Sequence, residues 1–208
     1  MCAVLRVTAA AVLALALATG CNGSGEPDAT RSPSAAAASL PPGQLRESVL
    51  QPGEVSANLV PIDAQTGTRD AKGIAAFSAD PAAAVKALER NGFQSAYVVQ
   101  YADPATNAVV TNVVAKFATA AGATADLTAD LANAKRTGTV FEVTGLGEQA
   151  GGLRAKRDDK SVEGSLVTLR WRSGDTTWLL AVSASTPVAE DGVRKLADTL
   201  MQRLSSGA

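Results

Sequence analysis

A predicted hairpin between Val162 and Ala184 limits most strongly what this chain can fold into. Two apolar runs, LVTLRW and TWLLAV, flank a central Gly174-Asp175 pair, which favours a two-residue turn between antiparallel strands. Opposite side chains in such a pair lie about 4.5–5.5 Å apart at Cβ, so aromatic residues facing each other should touch. Folding at this turn predicts three apolar pairs on one face: Trp171 with Trp178, Leu169 with Leu180, and Val167 with Val182.

Three helices are indicated by capping residues and helical spacing. Asp80-Pro81 predicts the start of the first helix and Asn91-Gly92 its end, because Asp caps well and Pro fits the first turn. Thr119 predicts the cap of a second helix that ends at Gly138. A third helix is expected to open at Thr186-Pro187 and to bury a stripe that contains Val193, Leu196, Leu200 and Leu204.

Two further strands are predicted from period-two alternation of aromatic and β-branched residues. They cover Phe93–Tyr101 and Val109–Phe117, and shorter strands are expected at 140–143 and 153–157. On the first of these strands we expect one shared face. Its members are Phe93, Tyr97, Val99 and Tyr101.

The order strand–strand–helix occurs twice, over residues 93–136 and 162–205. A sheet made of hairpins is antiparallel, and a helix after each hairpin packs back onto it. The sequence therefore predicts an α+β domain over residues 43–208, with an antiparallel sheet and helices packed on one face as a two-layer sandwich.

The first 21 residues have the order of a secretory signal peptide. Arg6 provides a positive start, Val7–Ala18 is an apolar run, and small residues lead to Cys21. A membrane-spanning helix needs roughly 20 apolar residues, so this run is too short to span. We expect this segment to act as a signal peptide and the rest of the chain to be exported.

Ala18-Thr19-Gly20-Cys21 resembles the lipobox of exported bacterial lipoproteins, with Leu17 one place earlier than the leucine usual in that motif. The resemblance implies removal of residues 1–20 by cleavage before Cys21, lipidation of Cys21, and an extracytoplasmic domain anchored to the cell membrane. Residues 21–42 are rich in Gly, Ser, Pro and Ala, a composition typical of a disordered linker. More than one acyl chain is needed for stable anchoring, and we expect such an anchor here.

Composition excludes several chemistries. The chain has no histidine and two cysteines, one in the predicted leader and one predicted to be lipidated. Catalysis and metal binding through His or Cys are therefore excluded from the folded part. Without Arg6 the chain has 18 basic and 20 acidic residues, which argues against nucleic acid binding. We expect no cofactor, no metal and no enzymatic activity.

Two groups of residues are candidates for binding. Trp171, Trp178, Tyr97 and Tyr101 either fill the core or, together with Leu131, line a cavity for an apolar or lipid ligand. Arg154, Lys156 and Arg157 either lie on a solvated hairpin with weak ion pairs or form a docking edge for a protein partner.

The loop Val143–Ala150, VTGLGEQA, and the hairpin after it resemble a pattern of secreted actinobacterial lipoproteins and sensor-like ectodomains. In this pattern Gly145, Leu146, Gly147, Glu148 and Ala150 are the matching residues. The resemblance implies a small extracytoplasmic α+β domain and transfers no catalytic residue. We therefore predict a non-enzymatic binding or sensing module, with a carrier of an apolar ligand as the alternative.

Overall fold

The computed structural model describes residues 42–159 and 162–206, and the side chains of residues 44–156 and 164–206 within them. The predicted signal peptide, Cys21 and the linker up to residue 41 lie outside the described residues, so these interpretations remain predictions.

Within the described residues the chain forms four α-helices, three short 3₁₀ helices and eight strands. The α-helices are α1 (Ala71–Ala75), α2 (Pro81–Arg90), α3 (Ala120–Thr137) and α4 (Glu190–Ser206). The 3₁₀ helices cover Pro42–Ser48, Pro52–Glu54 and Asp63–Gln65. The strands are β1 (Val60–Pro61), β2 (Gly67–Arg69), β3 (Phe93–Asp103), β4 (Ala108–Phe117), β5 (Thr139–Phe141), β6 (Gln149–Asp159), β7 (Val162–Ser173) and β8 (Thr176–Ala184).

All eight strands belong to one antiparallel sheet with the order β1-β3-β4-β8-β7-β6-β5, and β2 pairs with β3 beside β1. The two long hairpins, β3–β4 and β7–β8, meet in the middle of the sheet through the pairing of β4 with β8. The predicted α+β class and antiparallel sheet are confirmed.

The predicted hairpin has the expected register. Trp171 pairs with Trp178, Leu169 with Leu180 and Val167 with Val182. The turn works because Gly174 adopts a positive φ of 55°, which glycine reaches at no steric cost. The two indole rings stack with centroids 6.0 Å apart and an interplanar angle of 3°.

The helix caps also agree with the sequence. The side chain of Asp80 accepts a hydrogen bond from the backbone N–H of Ala83 at 3.0 Å, and that of Thr119 accepts from Gly122 at 3.0 Å. The last helix begins at Glu190, later than predicted. The preceding residues are held extended against β7, because the hydroxyl of Ser165 donates to the carbonyl of Thr186 and accepts from the N–H of Val188.

The helices lie on both faces of the sheet, which differs from the predicted two-layer arrangement. α4 and the first 3₁₀ helix pack with Val110, Val114 and the tryptophans, whereas α1, α2 and α3 pack with Val113 and Ala115. These residues alternate along β4, so the two sets point to opposite sides. The physical reason is that β4 is apolar on both sides and both sides need cover. We call them the tryptophan face and the α3 face.

The predicted face of β3 is correct for three of its four members. Tyr97, Val99 and Tyr101 lie on the tryptophan face. Phe93 instead packs on the α3 face, edge-on to Phe117 with ring centroids 5.8 Å apart. An irregularity in the pairing between Phe93 and Ser95 reverses the alternation at this end of the strand.

Candidate functional site

The stacked tryptophans lie in the larger core cluster, beneath α4 and the N-terminal segment. Trp171 is 0% exposed and Trp178 5% exposed. The indole N–H of Trp178 donates to the carbonyl of Ser48 at 3.1 Å. The indole N–H of Trp171 is buried without a hydrogen-bond partner among the described residues. The pair therefore fills the core between the sheet and its cover.

The cover is a segment that we call the strap, residues 42–55. Leu45, Val49, Leu50 and Val55 insert into the same core cluster as the tryptophans. The described part of the chain begins with the strap, which follows the predicted linker.

Polar side chains of the sheet hold the strap by its backbone. The phenol of Tyr101 donates to the carbonyl of Leu50 at 2.8 Å. The side chain of Asn112 accepts from the N–H of Leu50 at 2.8 Å and donates to the carbonyl of Leu179 at 2.8 Å. Burial, with a smaller contribution from Glu54, raises the pKa of the Tyr101 phenol, so it remains a donor. These bonds satisfy backbone groups that burial would otherwise leave unpaired.

Arg203 of α4 closes the strap from the other side. Its guanidinium contacts the carboxylate of Glu54 at 2.6 Å and donates to the carbonyls of Glu47 and Val49. Glu54 also accepts from the N–H of Gln51 at 2.7 Å. With the bond from Trp178 to Ser48, the strap is thus tied to three strands, β3, β4 and β8, and to one helix.

The predicted cavity residues do not surround one space. Tyr97 packs at the edge of the tryptophan cluster, half-buried. Leu131 of α3 lies against Gly151, whose neighbour on β7 is Arg170, on the opposite face of the sheet from Trp171. The structure therefore separates Leu131 from the four predicted aromatic residues, which it brings together in one cluster.

The predicted docking residues lie at the other end of the sheet, on β6. Arg154 forms an ion pair with Glu190 at 2.6 Å and lies 5.7 Å above the ring of Phe141. Lys156 is exposed. The side chain of Arg157 lies outside the described residues. Because Arg154 already has an acidic and an aromatic neighbour, its charge is partly compensated within the chain.

The loop between β5 and β6 is fixed by two glycines and a carboxylate. Gly145 and Gly147 have φ of 75° and 57°, and a Cβ on Gly147 would meet the carbonyl of Arg172 at 2.1 Å. Glu148 accepts from the N–H of Gly174 at 2.8 Å and from Arg172 at 2.6 Å. These contacts, led by the bond from Gly174, lower the pKa of Glu148. The loop thus joins the β7–β8 turn and supports it.

A buried charged cluster on the α3 face was not predicted from the sequence. Arg170 of β7 forms an ion pair with Asp130 of α3, and their side chains are 17% and 9% exposed. Asp126 lies one turn earlier on the same side of α3, and its side chain is half-buried. Burial raises the pKa of Asp126 to about 6, against the opposing effect of Arg170. The sequence contains one indirect signal for this cluster, two aspartates four residues apart on a predicted helix; Arg170, between Leu169 and Trp171, by itself fits a solvent-facing position.

The described parts of the chain contain neither a cluster of metal ligands nor a membrane-spanning helix. No three acidic residues come together there in a way that could hold a metal ion. The helices of these parts are too short or too polar to cross a membrane.

Comparisons with known proteins show the fold alone. No family model and no curated protein matches the chain. Among solved structures, the chain is similar to the extracellular domain of PknH from Mycobacterium tuberculosis, with a TM-score of 0.51 and 14% sequence identity. The similarity covers 80% of this chain and 99% of that chain. This chain therefore has a fold similar to that of the PknH domain, and the similarity extends over almost the whole of that domain.

Proposed function

We propose that this chain is a membrane-anchored extracytoplasmic lipoprotein whose α+β domain is a non-enzymatic binding or sensing module. One observation carries the proposal: the fold matches 99% of an extracellular domain from a mycobacterium. The signal-like residues 1–20 and the lipobox at Cys21 support the same location independently. They also agree with the resemblance of the Val143–Ala150 loop to actinobacterial lipoproteins.

The strap gives the anchor a mechanical connection to the domain. A lipid on Cys21, followed by a flexible linker of about 20 residues, would allow roughly 25 Å of root-mean-square reach. The linker ends at the strap, which Tyr101, Asn112 and Arg203 fasten to the sheet. The first 3₁₀ helix packs on the tryptophan face, so a tether that continues from residue 42 would lie on that side and would leave the α3 face pointing away from the anchor.

A binding partner at the surface is better supported than an apolar ligand inside. Trp171, Trp178 and Tyr101 fill the core, and Leu131 lies on the other side of the sheet. A carrier would need these side chains to move apart around its ligand. The exposed Lys156 and its neighbours on β6 are the candidate contact for an acidic protein surface.

The anchor is tested by metabolic labelling with an alkyne fatty acid in an actinobacterial host. The full chain should incorporate the label, sediment with membranes and be degraded by protease added to intact spheroplasts. Cys21→Ser is the matched control and should lose the label and leave the membrane. An unlabelled, protease-protected wild-type chain would overturn the proposed location.

Binding is tested by native mass measurement of the full chain released from detergent, combined with cross-linking on intact cells. A bare chain that cross-links through a photoreactive residue at position 156, but not at position 86, would support a surface partner. A bound lipid of fixed stoichiometry would replace this proposal by the carrier. If neither a cross-link nor a bound ligand is found, both the surface partner and the carrier are overturned.

A further inference from the structure

The charged cluster on the α3 face contains two acids for one base. Asp126 and Asp130 lie four residues apart on α3, so both carboxylates are on the same side of the helix. Of these two aspartates, only Asp130 forms a contact ion pair with Arg170 among the described residues. When both carboxylates are ionised, the cluster has a net charge of −1 in a site that water reaches poorly.

The surroundings offer no second cation close to Asp126 among the described side chains. Arg172 of β7 is paired with Glu148, and the charged residues of α2 and of the end of α3 are exposed. On the other strands packed against α3, the residues whose side chains lie on the α3 face are neutral. The exposed groups are Lys86, Glu89, Arg90, Lys135 and Arg136, and the neutral inward positions include Val113, Ala115, Val140, Leu153, Ala155, Thr177 and Leu179.

Both partners respond electrostatically to this burial. Burial raises the pKa of Asp126 to about 6, and Arg170 only partly opposes the shift. Burial also lowers the pKa of Arg170 to about 10, with Asp126 opposing. The negative charge of Asp130 acts on Asp126 in the same direction as burial, because a like charge one turn away disfavours ionisation. Both effects therefore favour a neutral Asp126.

We propose that Asp126, placed beside the Arg170–Asp130 ion pair, is a proton-binding site that makes the packing of α3 on the sheet depend on pH. A proton on Asp126 leaves one ionised carboxylate, that of Asp130, for the one guanidinium of Arg170. The uncompensated negative charge is thereby removed. The inference goes beyond the proposed function and depends neither on the lipid anchor nor on a partner.

The direction of the effect follows from proton linkage. Asp126 binds its proton more tightly in the folded chain than in the unfolded chain, where the ordinary pKa is 3.8. Its stabilising effect is therefore complete below pH 3.8 and is lost as the pH rises through about 6. Acidification from pH 7.5 to 5 should tighten α3 on the sheet, whereas most acid-sensitive domains loosen.

The first test is a titration of the carboxyl groups of the full chain in neutral detergent, monitored by carbon-13 NMR. The signal of Asp126 is assigned as the one that is missing in Asp126→Asn. Asp126 should bind its proton about 100-fold more tightly than an ordinary aspartate, whose pKa is about 3.9. In Asp130→Asn, Arg170 is freed to pair with Asp126, so the proton affinity should fall at least about tenfold. An ordinary Asp126 titration in the wild-type chain would overturn the proposal.

The second test measures hydrogen exchange of α3 relative to α4 in the same molecule, which cancels the intrinsic pH dependence of exchange. Between pH 7.5 and 5, protection of α3 should rise several-fold relative to α4 in the wild-type chain. Asp126→Asn has the same shape but no titration, and its ratio should stay constant. A constant ratio in the wild-type chain, or the same rise in Asp126→Asn, would overturn the proposal. If Asp126→Asn does not fold, the Asp130→Asn titration still decides.

Discussion

The segments that cover the two faces of the sheet are held in place by different forces. On the tryptophan face, α4 and the strap are fixed by apolar contacts and by bonds from neutral side chains to the strap backbone, with Arg203 at the rim. On the α3 face, the apolar cluster is built from small residues around Phe117, and the centre of α3 rests on the charged group of Arg170 with Asp126 and Asp130.

The domain thus combines one side whose packing is independent of pH with another whose packing responds to it. Burial of apolar area does not depend on protonation, and neutral hydrogen bonds depend on it very little. A buried ion cluster with unequal charges changes its energy with each proton bound. The tryptophan face should therefore set the stability of the domain, and the α3 face should make that stability respond to pH.

The largest effect is expected from removing the centre of the tryptophan face. Trp171→Ala removes a fully buried ring and its stacking contact with Trp178. It should lower the free energy of unfolding by about 4 kcal/mol, equally at pH 7.5 and 5. Urea unfolding followed by far-UV circular dichroism measures it. Trp171→Phe is the matched control with a smaller loss. A loss below about 1 kcal/mol for the alanine variant would show that the ring is not a central contact.

A slightly smaller effect, but with a strong pH dependence, is expected on the α3 face. Arg170→Met leaves Asp126 and Asp130 without their cation and should cost about 3 kcal/mol at pH 7.5. At pH 5 the cost should shrink, because the pKa of Asp126, raised to about 6, already leaves that carboxyl neutral. Urea unfolding at both pH values measures the difference.

A variant with all three charges replaced sharpens that result. Arg170→Met combined with Asp126→Leu and Asp130→Leu should recover most of the lost stability and remove the pH dependence, since an apolar group of similar volume can replace a buried ion cluster. Equal losses for Arg170→Met at pH 7.5 and 5 would instead assign the loss to the packing of the arginine stem.

The same contrast explains what the sequence could predict. The hairpin register and the caps of α2 and α3 were predictable because each depends on neighbours within a few residues, such as Gly174-Asp175 or Asp80-Pro81. The two-sided cover was not predicted, although consecutive apolar pairs such as Val109-Val110 and Val113-Val114 on β4 indicate burial on both sides.

The candidate site was harder to predict because it depends on distant residues. Arg170 alternates with Leu169 and Trp171, a pattern typical of a solvent-facing position, and only α3 packing over it turns it into a buried group. The strap contacts span still longer separations, since Trp178 reaches Ser48 across 130 residues. Periodicity contains no information on such pairings.

A moderate effect is expected from one strap bond on the tryptophan face. Tyr101→Phe leaves the buried carbonyl of Leu50 without its donor and should cost about 1 kcal/mol, independent of pH below 8. Urea unfolding measures it against Tyr97→Phe. The hydroxyl of Tyr97 makes no hydrogen bond within the described residues, so that control should change stability by less than about 0.5 kcal/mol. Equal effects of the two variants would show that the strap bond does not contribute.

The smallest effect tests whether every acid of the domain behaves like Asp126. Glu148 is largely solvent-exposed, and its pKa is lowered by the bond from the N–H of Gly174 and, more weakly, by Arg172. Because water screens this contact, Glu148→Gln should cost only about 0.5 kcal/mol.

The pH dependence of that cost has the opposite sign to that of Asp126. The contribution of Glu148 is complete above its ordinary pKa of 4.5 and is lost as the pH falls through the lowered folded value. The difference in the free energy of unfolding between wild type and Glu148→Gln should therefore be constant from pH 7.5 to 5, the range in which Asp126 gains its stabilising proton. In stronger acid this difference should disappear. A Glu148→Gln cost that grew on acidification would contradict this assignment. Glu148 and Asp126 would then respond to pH in the same direction. The contrast would be lost between Glu148, an exposed carboxylate bound by a backbone N–H and an arginine, and Asp126, a carboxylate buried beside the Arg170–Asp130 ion pair.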